Sequence, residues 1–189
     1  MPSKHCHCRK RRKCKKKKNN GSIANLSVTN NESGEQLDTV TSVPKKVILN
    51  FNTDNQNVPI EGFSRIGITG THFRCLVAGL YRVHYTAAYA LSDITEDSLV
   101  QTSTCIVLNG ALALQSKTVN KDWVLSSNPV SQSHTLQKGI LMNFAAGDVI
   151  NLEFEYFRSP TALELPLTMT TSLQTEQHLD LNLIQEPLF

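Results

Sequence analysis

The sequence predicts an all-β protein, a single jelly-roll sandwich of about 8–10 antiparallel strands with a disordered basic N-terminal arm. Three observations lead there. Between Tyr81 and Leu91 the odd positions read Tyr81, Val83, Tyr85, Ala87, Tyr89 and Leu91, with Arg82, His84 and Thr86 among the residues between them. Period two in aromatic and branched residues marks a strand with one buried face. Asn109-Gly110 joins two alternating runs and supplies the positive φ values of a two-residue hairpin turn. Turn signals recur about every 8 to 12 residues with no helical apolar period between them, the spacing of a sandwich.

The 189 residues suit one domain with tails. The expected division is a basic Cys/His-containing arm over residues 1–20, a polar flexible linker over 21–44 and the jelly-roll domain over 45–189. The formal net charge of +3 conceals an asymmetry: residues 1–18 hold ten Lys/Arg and no acid, so the remainder carries 9 − 16 = −7.

The arm, KHCHCRKRRKCKKKK over residues 4–18, has no apolar surface to bury and its charges repel one another, so it is expected to be disordered on its own. Its candidate nucleic-acid-binding residues are Lys4, Arg9, Lys10, Arg11, Arg12, Lys13, Lys15, Lys16, Lys17 and Lys18. Such cations displace counterions from phosphates without reading base sequence, and engaging most of them gives log affinity a slope against log salt on the order of −7 to −9. No aromatic residue interrupts the run, so base stacking is not indicated. A nuclear-localisation peptide, attraction to an acidic membrane and a solubilising tail are the competing readings. His5, Cys6, His7, Cys8 and Cys14 leave zinc binding, interchain disulfides and unmodified thiols open, although Cys-x-Cys and His-x-His are not the usual spacing of a structural zinc site.

No apolar run follows the charged opening, so no secretory signal is read there. No window approaches the roughly 18 to 20 apolar residues of a bilayer span, so membrane insertion is not expected. The expected place of synthesis is a cytosol, which makes the triplets Asn25-Leu26-Ser27 and Asn31-Glu32-Ser33 chance matches to a glycosylation acceptor. The linker, rich in Asn, Ser, Thr and Gly, is expected to be flexible or to order only against a neighbouring subunit, with a reach of roughly 80 Å.

In the domain, Pro44 marks the entry and VILNFN at 47–52 reads as its first strand. FSRIGITG at 63–70 follows a polar loop, and Gly79, between Val77 and Tyr81, marks a turn that needs positive φ or a close backbone approach. Asp93, Glu96 and Asp97 lie in an acidic loop without the ligand alternation of a calcium site, so no metal is assigned. Residues 99–109 and 111–119 form the predicted hairpin; Cys75 and Cys105 sit among apolar neighbours as buried free thiols. Trp123 falls in a stretch without clear period, open between a subunit contact and an end cap. Residues 133–144 and 148–157 read as another strand pair across Ala145–Asp148, with Ile150, Leu152, Phe154 and Tyr156 on one face. The even spacing of Leu165, Leu167, Met169, Thr171 and Leu173, then Leu179, Leu181 and Leu183, completes a sheet before Pro187.

Phe73, Gly79-Leu80-Tyr81, Asn109-Gly110 and the Gly147-Asp148 turn opening a late strand resemble, in that order, the tumour-necrosis-factor-like and complement globular-head jelly rolls, over roughly residues 45 to 185. The resemblance implies a trimer-forming module used for assembly or binding, with no catalytic centre. No nucleophile elbow, phosphate-cradling Gly loop, His-Glu-x-x-His pair or paired CxxC knuckles appear, so no enzyme and no cofactor are expected. A jelly roll behind a basic arm has the layout of a small shell protein, so the leading expectation is a capsid or minor capsid subunit of a virus particle. It would be made in the host cytoplasm, self-associate as a homotrimer within a larger assembly and hold nucleic acid through residues 4–18. The alternatives are a bacterial spore-surface trimer of the exosporium or coat and a soluble complement-head-like binding trimer.

Overall fold

The structure, a computed structural model, describes residues 24–30, 36–40, 42–54, 60–67, 70–92, 97–125, 132–158, 170–173 and 177–186. These form fourteen strand segments and no α-helix: β1 Asn25–Asn30, β2 Gln36–Thr39, β3 Lys45–Ile48, β4 Thr53–Asp54, β5 Phe63–Ile66, β6 His72–Cys75, β7 Gly79–Ser92, β8 Ser98–Leu108, β9 Ala111–Leu112, β10 Thr118–Val124, β11 Gln132–Phe144, β12 Val149–Arg158, β13 Thr170–Leu173 and β14 Gln177–Gln185. All the pairings are antiparallel.

Two sheets of seven segments face each other. In the first, β7 is flanked by β11 on one edge and by β13 and β14, end to end, on the other; β2 and β1 lie beyond these, and β4 beyond β1. In the second, β12 lies between β8 and the pair β3 and β6; β9 and β10 border β8, and β5 borders β6. The segments thus fill ten positions, five per sheet, a jelly-roll sandwich.

The long strand expected around Tyr81–Leu91 is β7, and its odd positions are fully buried. Tyr81, Tyr85 and Tyr89 point into the core four residues apart, among Phe51, Phe73, Phe154 and Tyr156. Their phenols cannot be buried unpaired without cost, and they pin structure from the opposite side. Tyr81 donates to Val77 O, and Tyr85 contacts Thr104 O (3.2 Å), Ser116 O and Thr118 Oγ1 (2.9 Å). Tyr89 accepts from Thr102 Oγ1 (2.8 Å).

Three expectations about connectivity change. The linker reading of 21–44 is corrected over Asn25–Asn30, which pairs along its whole length with β14, from Asn25 opposite Asn182 to Asn30 opposite Gln177. Leu26 and Val28 are fully buried while Thr29 is only partly covered, so the two isolated aliphatics are a strand's inner face. The strand orders against its own chain's last strand, and Lys45–Ile48 is therefore the third segment, not the first. Residues 133–144 and 148–157 are strands but do not pair: β11 joins β7 in one sheet and β12 joins β8 in the other. The turn between them, with Gly147 at φ 100°, carries the chain across the sandwich and is held by Gly147 N donating to Cys75 O (2.7 Å). The Asn109-Gly110 hairpin forms with φ values of 52° and 81°, but its second arm breaks at a 3-10 turn, Leu114–Ser116, before β10 resumes beside β8.

Candidate functional site

The cations Lys4, Arg9, Lys10, Arg11, Arg12, Lys13, Lys15, Lys16, Lys17 and Lys18, and the thiols Cys6, Cys8 and Cys14, lie outside the described residues, as do Asp93 and Glu96. What the structure fixes is the point where this segment joins the domain. Ala24 is buried against Gly62, whose own Cβ would sit 2.5 Å from the Ala24 Cβ and 3.3 Å from Val77 Cγ2. Asn25 and Glu61 exchange backbone hydrogen bonds (2.8 and 2.9 Å), and Leu183 N donates to Ala24 O (2.8 Å). A small side chain at 24 and a glycine at 62 (φ 72°) allow this approach.

The same end of the sandwich gathers several turns. Leu76 N donates to Gly62 O (2.8 Å), Cys75 N to Asp148 O (2.8 Å) and Asn109 N to Val149 O (2.8 Å). Asp148 fastens two of these turns, accepting from Asn109 Nδ2 (2.8 Å) at one oxygen and from Ala145 N (2.8 Å) at the other. A shallow cleft lined by Gly79, Leu80, Phe144 and Ala145 has Asp148 and Glu186 among its borders.

The outer face of the first sheet is polar. Asp180 lies opposite His84 on β7 and Ser27 on β1, and His178 lies two residues away on the same face. His178 Nε2 sits 2.9 Å from Asp180 Oδ2, off the ideal hydrogen-bond direction. That contact with Asp180 holds the His178 imidazolium above its ordinary range, against the opposing effect of burial. Burial pushes the Asp180 carboxyl up, but hydrogen bonds from His178 and Ser27 and the charges of His178 and His84 outweigh it and leave the carboxyl below its ordinary range. On the outer face of the second sheet, Lys46 pairs with Glu153 (2.9 Å) and Glu155 (3.7 Å), and Lys117 with Glu155 (3.5 Å).

Trp123, opposite Leu99 on the outer side of edge strand β10, is 65% exposed; it does not cap the core. His84 is exposed on its strand, whereas His134 is half-buried and stacks on Tyr89 at 5.3 Å. His134 Nδ1 lies 3.3 Å from Asp122 Oδ2, which also approaches the Tyr89 hydroxyl (3.4 Å), and Asn120 Nδ2 donates to that hydroxyl (3.2 Å). This network ties β10 of one sheet to β7 and β11 of the other. His134 Nε2 has no partner among the described residues, and no hydroxyl or thiol nucleophile is paired with it. Cys75 and Cys105 are free and buried as expected, and burial pushes the Cys75 thiol up, away from the reactive thiolate. Among the described residues no group of three or more His, Cys, Asp or Glu can hold a metal, and no helix is long and apolar enough to cross a membrane.

Sequence reasoning missed the His84–Asp180–His178 cluster and the Tyr89–Asp122–His134 network. Alternation on each strand was visible, but the cross-strand register that brings them together was not.

No protein-family model matches the chain, and no curated protein sequence matches it. Among solved structures, the chain is similar to Eiger TNF from S. frugiperda at 13% identity and a TM-score of 0.53, covering 89% of this chain and 97% of that one. It also aligns with pika GITRL at 13% identity and a TM-score of 0.43, covering 89% of this chain and all of that one. At such identity the likeness to Eiger TNF is one of fold: the domain is a tumour-necrosis-factor-like jelly roll.

Proposed function

We propose that this chain is a non-enzymatic structural protein of a virus particle, a capsid or minor capsid subunit, whose jelly roll assembles as trimers and whose residues 4–18 neutralise nucleic acid. The observation that carries the reading is the division of charge, ten cations without an acid in residues 1–18 against a net −7 in the rest. Packaging needs cations that follow a phosphate backbone irrespective of sequence, and subunit solubility is served by a domain of opposite sign. The trimer follows from the family resemblance, and virion localisation from the packaging role.

A second reading, a soluble binding trimer, is favoured by the fold likeness to Eiger TNF. Sizing with light scattering and ultraviolet absorbance, at low and high salt, separates the two. A shell protein gives a large particle carrying nucleic acid that empties or dissociates in high salt, and deleting residues 1–18 leaves a folded domain without nucleic acid. A nucleic-acid-free trimer of 3 × 21.0 = 63 kDa at both salts moves the assignment to a binding module. Retention of nucleic acid by the truncated chain with an unchanged salt slope refutes the role of the arm.

A further inference from the structure

We propose that the end of the sandwich formed by Ala24, Leu76 and the Asn109-Gly110 turn is the face that lies against nucleic acid, and that the opposite end, marked by Trp123, points away from it. This deepens the packaging reading and rests on it.

The argument is one of tether length. The sequence alone left 26 residues between the basic run and the domain, a reach of roughly 80 Å that would let nucleic acid sit anywhere around the subunit. Pairing of β1 with β14 removes that freedom, because the chain is already fixed at Ala24 and Asn25 by Leu183 and Glu61. Only residues 19–23 separate Lys18 from Ala24. Six Cα–Cα steps span at most about 20 Å, so Lys18 stays within about 20 Å of this end and Lys15 within about 30 Å. The length of β8 sets the scale for comparison. From Ser98 to Leu108 it runs roughly 33 Å, with the hairpin turn at one end and Leu99, opposite Trp123, at the other. Lys18 therefore cannot hold a phosphate at the Trp123 end, and the lysines just upstream of it favour the near end.

Charge on the domain sharpens this. The near end has Glu61, Asp148 and Glu186 against Arg74 and so has no cationic surface of its own. Phosphates are held there only by the tethered cations interposed between them and the carboxylates, at distances comparable to the screening length of about 8 Å.

Energy transfer from tryptophan to a short DNA duplex labelled along its length with dansyl tests the placement in the full chain. The native chain has one tryptophan, Trp123, at the far end. Leu76→Trp and Leu112→Trp, each combined with Trp123→Phe, move the donor to exposed positions at the near end. Transfer falls with the sixth power of distance, so both double variants are expected to transfer at least about five-fold more efficiently than the native chain. Equal transfer from the two ends, or stronger transfer from Trp123, overturns the inference; strong transfer from native Trp123 does so even if both variants fail to fold. Polarisation of the same duplex reports binding independently. Absence of binding by the native chain refutes the packaging reading and the inference with it, whereas binding with the wrong transfer pattern refutes the inference alone.

Discussion

Gly79→Ala and Gly139→Ala place a methyl group on two neighbouring strands of one sheet with opposite expected outcomes. Gly79 opens β7 and is buried; a Cβ there would lie 2.4 Å from Leu183 Cδ1 and 2.6 Å from the Gln185 carbonyl oxygen. The leucine methyl can swing aside, but the carbonyl belongs to the backbone of β14, where its register against β7 shifts between Leu183 and Gln185. Restoring an ordinary 3.4 Å contact means moving that carbonyl by about 0.8 Å. The role of Gly79 is thus close backbone approach, since the positive φ values belong to other glycines. Overpacking of this kind costs about 1–3 kcal/mol. At Gly139 the nearest atom to an added Cβ is His84 Cδ2 at 3.9 Å, an ordinary contact, so alanine there is expected to stabilise by about 0.4–1 kcal/mol through the unfolded chain. Each kcal/mol moves the midpoint by about 2–4 °C for a chain of this size, so Gly79→Ala should lower Tm by about 2–12 °C and Gly139→Ala should raise it slightly. Urea and thermal unfolding of the full chain measure both. A Gly79→Ala protein with the native midpoint, or parallel changes in the two variants, would refute the packing argument.

Tyr85→Phe removes a hydroxyl whose partners Thr104 O, Ser116 O and Thr118 Oγ1 keep their places, and is expected to cost about 1–3 kcal/mol in urea unfolding. An unchanged midpoint would show that these groups do not depend on the phenol. His178→Ala is expected to destabilise in a pH-dependent way. The raised imidazolium contributes fully below its unfolded value near 6.5, and its contribution fades as pH rises through the higher folded value. The depressed Asp180 carboxyl contributes above its unfolded value near 3.8 and loses its contribution as pH falls through the lower folded one. The pair therefore matters most between the two folded values. The loss should be about 0.5–1 kcal/mol near pH 5.5, shrinking above pH 8, since the groups are partly solvated. The same loss at both pH values would refute the pairing.

Features set by residues close in sequence were legible before the structure. The odd positions of β7, the inner face of β12 and the positive φ values at Asn109-Gly110 depend on local period and turn chemistry, and each was read correctly. Features set by distant partners were not. Leu26 and Val28 looked like isolated aliphatics because the strand that receives them begins at Gln177. The Ala145–Asp148 turn announced a reversal, but a turn's residues do not state whether the next strand returns to the same sheet or crosses to the other. The nucleic-acid-binding candidates were legible from charge alone, while their short tether required knowing that β1 exists.

The pairing of β1 with β14 also sets a clock on synthesis. Asn25 and its partner Asn182 are 157 residues apart, so the first strand of the domain has no lasting neighbour until nearly the whole chain has been translated. At about 5–20 residues per second that interval is on the order of 10 to 30 s, during which the ten upstream cations already stand outside the ribosome. The newborn chain thus displays its positive charge well before the negatively charged domain can close beside it, and the first polyanion it meets is the RNA around the translation machinery.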